Sequence, residues 1–503
     1  MASFGDANTV QNEPEPATLH LKVTYLPYIY GSLFLLFITR IVAIFLLPLT
    51  DTTESRYGEI ARKMIETRDF ITPQFDYGIP FWGKPPLHTW LSAAGINLFG
   101  ENEFGARIFI FLAALLLLLF FYKWAKTIVG TNAALISVCV LSSTGLFFGA
   151  SAFVMTDLAM AFGTTLSMMA FWSIATQGKA ARIAGHLFFV GLAIGMLAKG
   201  PVAVVLTGIP IFLWLLIGWR WRVLQYLPWI TGMLLAVILT APWYYLAEQK
   251  TPGFLRYFII GEHYERFVVS GWQGDLYGSG HSRAKGSIWL GWILAALPWS
   301  LIGGYMLFFP RKLRTAFRLD SAGLRSYLLL WTIAPMILFT PAANILASYV
   351  LPGLPAAALL LTILTVDIFG ATPTKTVRIL FGSGMALMIG VFVLLCAVLA
   401  ISPDSLDLRS HKSTVKIASQ RVEAPVFNLL GGRSYSLEFY TKGKVQVLAD
   451  FDAISGLADN GKTDVLLVEP RQKAEVEQAF GDRFTYLGEF GRKAVLIEKI
   501  EGN

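Results

Sequence analysis

Eleven apolar runs, each of about the length that crosses a bilayer, leave this chain little choice but a bundle of membrane helices. They lie near 26–49, 105–122, 131–150, 155–176, 182–198, 202–218, 226–246, 287–309, 324–340, 345–366 and 377–401. The charged content is 15%, where soluble domains carry roughly 25%. Two amphipathic segments raise the count if they also cross. The expected fold class is therefore a multi-spanning α-helical membrane protein of about 11–13 spans. Cys139 and Cys396 both sit inside apolar runs, so no disulfide framework or cysteine metal site is implied.

The net charge of +8 does not point to nucleic acid, because the basic residues fall in short loops where topology already explains them. With the N-terminus inside, the inner loops hold Lys123 and Lys126, then Lys179 and Arg182, then Arg220 and Arg222. Arg311, Lys312, Arg314 and Arg318 follow, then Lys375 and Arg378. Residues 1–25 then form an inner tail, and its polar, acidic start does not resemble a cleaved signal, so the first span stays as an anchor. The outer segments are 50–104, short turns near 151–156, 199–201 and 341–347, a long loop 247–286, and everything after about 402.

In the first outer loop Tyr57, Ile60, Ala61, Met64 and Ile65 recur at helical spacing, which predicts an amphipathic helix from Glu54 to Arg68 lying in the interface. Leu87, Trp90, Leu91, Ile96 and Leu98 predict a second. On this reading Arg62 and Lys63 meet headgroups. Trp82 and Trp272 read as interface-belt aromatics ahead of sugar platforms, and His88 and His281 read as interfacial. Arg107, at the outer start of the second run, either binds a lipid phosphate or snorkels. After about residue 402 short β-like runs appear at 426–430, 445–448, 465–468 and 494–497, with an amphipathic helix over 472–480. Residues 402–503 thus read as a small outer α/β domain, without a phosphate loop or catalytic constellation.

The polar residues that could do chemistry all fall on the outer side. A nucleotide donor needs inner access, and no inner loop offers a glycine-rich cradle. A donor usable outside must be carried by lipid, and a polyprenyl phosphate sugar fits. Its transfer needs a carboxylate to take the acceptor's proton, which Asp51, Glu54 or Asp157 can supply. It also needs cations on the leaving phosphate, which Lys84, Lys199, Arg56 and Arg266 can supply. Pro85 and Pro86 fix the backbone beside Lys84. A transporter of polyprenyl lipids is a rival, but transporters place charges at the midplane and show internal repeats, and neither feature is visible.

Six motifs in order carry a family resemblance. They are Asp51-x-x-Glu-x-Arg-Tyr57, Lys84-Pro-Pro-Leu87, Met155-Thr-Asp157, Ala198-Lys-Gly-Pro201, Glu262-His-Tyr-Glu-Arg-Phe267 and Tyr349-Val-Leu-Pro-Gly-Leu-Pro355. Over about residues 26–400 the chain resembles bacterial GT-C glycosyltransferases of the aminoarabinose transferase and protein O-mannosyltransferase superfamily. The lipid A branch is the nearer one, because the mannosyltransferases show His-Pro-Pro where Lys84 precedes Pro85.

The resemblance implies a multi-pass bacterial inner-membrane enzyme with a cytoplasmic N-terminus and a periplasmic C-terminal domain. Its catalytic domain would span 26–401, with periplasmic loops 50–104 and 247–286. It would move an aminoarabinose-like or related sugar from undecaprenyl phosphate to lipid A or lipopolysaccharide core. A protein acceptor is the alternative. Asp51, or its neighbour Glu54, would be the base, Lys84 and Arg266 would bind the lipid phosphate, and Asp157 and Lys199 would complete the pocket. Tyr57, Glu262, His263 and Tyr349 would line it. The departures are Gly83 where an acid usually precedes the Lys-Pro pair, Thr52-Thr53-Glu54 where Pro-Asp-Glu is usual, and Ala347-Ser348 where a lysine is common. The family's divalent metal site uses acids and a histidine of these loops, and here His263 is the histidine left for it.

Overall fold

The computed structural model describes residues 26–278, 282–370, 375–402, 408–457 and 463–499. The expected tail 1–25 and His281 lie outside them. The first half runs α1 (Leu26–Leu46), α2 (Thr53–Thr67), a hairpin of β1 (Gln74–Asp76) and β2 (Ile79–Pro80), then α3 (Leu87–Phe99) and α4 (Glu103–Ser143). It continues with α5 (Gly145–Ala150), α6 (Thr156–Gln177), α7 (Arg182–Lys199), α8 (Val202–Gly218) and α9 (Trp229–Lys250). Then come α10 (Ser287–Ala295), α11 (Trp299–Met306), α12 (Pro310–Arg318), α13 (Leu324–Phe339), α14 (Leu354–Phe369) and α15 (Lys375–Ile401).

All eleven apolar runs appear as helices, so the protein is a multi-pass membrane protein. Among the described residues six helices are long and apolar enough to cross a membrane, or seven with a bent pair taken as one span. Two of the six contain two runs each. Gly130 breaks α4 with φ 77°, which places the 103–129 and 131–143 segments in separate helices. α6 and α7 fold back on each other at Gly178. Their backbones touch: a Cβ at Gly163 would lie 2.6 Å from the carbonyl oxygen of Gly191, so only glycine permits the approach. The run 287–309 is the exception to a straight span. α10 and α11 meet at 111°, where Pro298 supplies no backbone N–H to continue the first helix.

The outer loops differ from the expectation in one respect. α2 forms where predicted, but it does not lie on headgroups. One face packs through Tyr57, Ile60, Ala61 and Met64 into the core, and the other is covered by the C-terminal domain. Arg62 and Lys63 are both buried: Arg62 pairs with Glu59 at 2.8 Å and Glu66 at 2.7 Å, and Lys63 reaches Glu438 at 3.4 Å. Burying such charges is tolerable only because each has a partner.

The C-terminal domain contains α16 (Lys412–Arg421), β3 (Val426–Leu430), α17 (Tyr435–Tyr440), β4 (Val445–Leu448), β5 (Asp464–Val468), α18 (Lys473–Phe480), β6 (Phe484–Phe490) and β7 (Lys493–Glu498). Its sheet order is β4-β3-β5-β7-β6, with β3 parallel to β4 and β5, and β7 antiparallel to β5 and β6. β5 is buried throughout and reads as a continuous apolar run. Edge strand β6, with a bulge at Gly488, carries a weaker pattern and escapes the sequence reading.

Candidate active site

Two charged groups meet beside the C-terminal end of α7, and they come from five separate stretches of chain. The first centres on Glu262, in a π-helical turn Tyr257–Glu265. Its carboxylate accepts from Lys84 Nζ at 2.7 Å, from Arg266 Nη1 at 3.0 Å to each oxygen, and from the Tyr257 hydroxyl at 3.2 Å. Arg266 also lies 3.4 Å from Asp275. Burial alone would raise the Glu262 carboxyl, but Lys84 and Arg266 outweigh it and hold it below its ordinary value. Glu262 is 2% exposed while Lys84 and Arg266 are 18% and 17% exposed, so the two cations form the accessible lip of the cluster.

The second group is Asp157 and Lys199, 2.6 Å apart, at the N-terminus of α6 and the C-terminus of α7. Lys199 Nζ lies 4.2 Å from the ring centroid of Tyr349, which packs at a tilt against Phe339. Tyr349 feels the charges of Lys84, Arg266, Asp157 and Glu262 together, so it marks the junction of the two groups. Arg56 joins from α2: its Nη1 donates to the Tyr277 carbonyl at 2.8 Å, and its guanidinium lies over Tyr57 at 5.3 Å. Tyr57 stacks edge-on against Phe81 and His88 and lines this corner.

Two expected bases stand elsewhere. Asp51 turns toward the C-terminal domain, where its carboxylate accepts from Ser55 Oγ at 2.6 Å, Ser434 Oγ at 2.7 Å, and Ser436 N and Oγ, both at 2.8 Å. Four donors on its two oxygens tie the end of the first apolar run to the C-terminal domain. Glu54 is 1% exposed and locked to Arg107 by two bonds, 2.8 and 2.7 Å, with Val154 N as a further donor. Arg107 in turn caps the end of α1 by donating to the carbonyls of Ile44, Leu47 and Pro48, so it neither binds a lipid phosphate nor snorkels. The acid after the first span is legible in sequence; that its lone pairs are taken is decided by serines 383 and 385 positions away.

The sequence leaves a bound metal open, with His263 as its one candidate ligand. His263 Nδ1 lies 2.8 Å from the Phe258 carbonyl oxygen and Nε2 lies 3.2 Å from that of Lys199, so both ring nitrogens face backbone carbonyls. Among the described residues no group of three or more His, Cys, Asp or Glu side chains could hold a metal ion. Gly83 adds nothing, because a Cβ there would lie 2.9 Å from Phe81 Cζ. The residues present do not fit the group.

Sequence reasoning left Tyr257 and Asp275 out of the site, although they complete the first cluster. Trp82 and Trp272 flank Tyr257 with ring centroids 5.9 and 6.0 Å away. The signal for these was the density of aromatic and charged residues in the long loop 247–286, where Tyr257, Trp272, Asp275 and Tyr277 all lie.

Residues 32–258 match the family model for dolichyl-phosphate-mannose-protein mannosyltransferase. The chain is 30% identical over 315 residues to an undecaprenyl phosphate-alpha-4-amino-4-deoxy-L-arabinose arabinosyl transferase of Edwardsiella ictaluri, covering 61% of this chain and 54% of that one. A protein of the same name from Aeromonas salmonicida is 29% identical over 375 residues, 71% of this chain and 63% of that one. The matches thus span between half and two thirds of these curated relatives. The crystal structure of ArnT from Cupriavidus metallidurans bound to undecaprenyl phosphate superposes with a TM-score of 0.73 at 18% identity, over 94% of this chain and 98% of that one. The chain thus shares the fold of the ArnT crystal structure and is similar in sequence, over part of its length, to these arabinosyl transferases and to the protein-mannosyltransferase model.

Proposed function

We propose that the protein is an inner-membrane glycosyltransferase that moves a sugar from undecaprenyl phosphate to lipid A or lipopolysaccharide core on the periplasmic face. The observation that carries this reading is the pair of accessible cations, Lys84 and Arg266, held side by side by one buried carboxylate. Such a pair suits a phosphodiester at the membrane surface and offers no nucleotide cradle. The relatives' names, and the undecaprenyl phosphate in the ArnT crystal structure, support the same donor class. The N-terminus is taken as cytoplasmic and the sheet domain as periplasmic, because the short loops on the N-terminal side are basic.

The reaction is a single in-line displacement. Asp157 takes the proton from the acceptor hydroxyl, and the acceptor oxygen forms a bond to the sugar's anomeric carbon. The bond from that carbon to the phosphate oxygen breaks, and undecaprenyl phosphate leaves against Lys84 and Arg266. Lys199 orients Asp157, and Tyr349 packs beside the lysine. The configuration at the anomeric carbon inverts.

Mass spectrometry of lipid A and core oligosaccharide from cells with and without the gene tests the reading. Loss of one sugar-sized mass from lipid A or core is expected. An unchanged lipid A and core, with a sugar missing from a periplasmic glycopeptide instead, would replace the acceptor with a protein.

A further inference from the structure

We propose that Asn344 is a positioning residue for the donor phosphate: its side-chain amide fixes the backbone at Arg266 and so sets where that guanidinium stands beside Lys84. The proposal rests on the polyprenyl-phosphate reading above and deepens it. The geometry begins at the end of a helix. Arg266–Val268 closes the helical stretch 254–268, which also carries Glu262. The last carbonyls of a helix have no partner within it. Here three of the four from Arg266 to Val269 are taken by the turn that follows α13. Asn344 Nδ2 donates to the Arg266 carbonyl at 2.6 Å and to that of Val269 at 3.0 Å. Ala343 N donates to the Phe267 carbonyl at 2.9 Å.

The amide has one workable orientation, because turning it over would set Oδ1 against two carbonyl oxygens. In that orientation Oδ1 is buried without a donor, and the residue is 6% exposed. All the hydrogen bonds of this side chain among the described residues therefore go to the one helix end. The turn itself is held from its other side. Gly286 N donates to the Thr340 carbonyl at 3.1 Å, and Trp289 Nε1 donates to the Thr340 hydroxyl at 3.0 Å. Asn344 thus reaches out from a fixed base to a helix end that it closes.

What it fixes is the spacing of the phosphate cations. Arg266 Nη1 lies 3.0 Å from both Glu262 oxygens, and Lys84 shares that carboxylate at 2.7 Å. Glu262 and Arg266 ride on the same stretch, one turn apart, while Lys84 stands on a separate loop. A shift of the helix end therefore moves Arg266 relative to Lys84. The same clamp joins the two charged groups of the site. Phe267 faces Phe339 at 6.5 Å and Phe339 faces Tyr349 at 4.8 Å, ring centroid to centroid, with Lys199 over Tyr349. Misplacing a positioned group by about 1 Å can lower a rate by about 100-fold.

The test is a double-mutant cycle in the purified full-length protein in lipid nanodiscs, with undecaprenyl phosphate as the titrated ligand. Asn344→Ala is expected to weaken its binding about tenfold, the scale of one charge-assisted contact. In the Arg266→Ala background, which keeps the backbone carbonyl, the same change should alter binding by less than about twofold. The melting temperature should fall equally in both backgrounds, which shows that the clamp is broken in each. Asn344→Asp keeps the size and Oδ1 and loses both donors, so it should repeat the cycle and replaces Asn344→Ala if that variant does not fold. An equal loss of binding in both backgrounds overturns the proposal and leaves Asn344 a structural residue. Wild-type affinity in either Asn344 variant overturns it as well. Undiminished binding in Arg266→Ala would instead overturn the donor reading of Arg266, and this inference with it.

Discussion

Lys84 and Glu262 are 178 residues apart in sequence and 2.7 Å apart in space. Removing the lysine leaves a buried carboxylate with one cation in place of two. Lys84→Ala should lower kcat/KM for sugar transfer by about 10- to 100-fold, the range of one charge-assisted hydrogen bond. Lys84→Arg should recover part of it, and a transfer assay with a defined lipid donor measures both. Wild-type activity in Lys84→Ala would remove it from the donor site.

Asp157 and Asp51 should respond oppositely. Asp157→Asn should lower turnover about 100-fold or more, and it should also lower the melting temperature, because buried Lys199 loses its partner. Asp51→Ala removes the acceptor of four donors from α2 and the sheet domain. Its first effect should be easier proteolytic release of residues beyond 408, read by limited proteolysis in nanodiscs.

Glu54 and Arg107 form a buried pair, so losing one partner should cost more than losing both. Arg107→Met is expected to destabilise by about 3–5 kcal/mol. The double change Glu54→Leu with Arg107→Met should restore much of the melting temperature, measured by thermal unfolding in detergent.

Gly83→Ala introduces a Cβ at 2.9 Å from Phe81 Cζ. Overpacking of this kind costs about 1–3 kcal/mol. Phe81→Leu in the same chain should relieve it, which a melting-temperature comparison of the single and double variants would show.

Stability should fall as pH drops below about 6.5, the ordinary histidine value. Burial, with Lys84 beside it, pushes His88 down to about 3, and burial also lowers His263. Between the ordinary and the lowered value the unfolded chain takes a proton that the folded one refuses, so stability is present above that window and lost as pH falls through it. His88→Gln should flatten the melting temperature between about pH 6.5 and 4.

The sequence by itself determined the bundle. Eleven apolar runs, basic inner loops and the period-3.6 pattern of α2 follow from local composition, and the helices form where those patterns lie. Lys84, Arg266, Asp157 and Lys199 were also legible, because charges beside apolar spans are costly and stand out. What the sequence could not give was each charge's partner. The register of α17 against α2 directs Ser434 and Ser436 at Asp51, and the packing of α4 against α1 directs Arg107 at Glu54, so both expected bases carry structural partners. A carboxylate's role depends on whether its lone pairs are left over. That was settled by residues more than fifty positions away in each case, and only the tertiary structure brings them together.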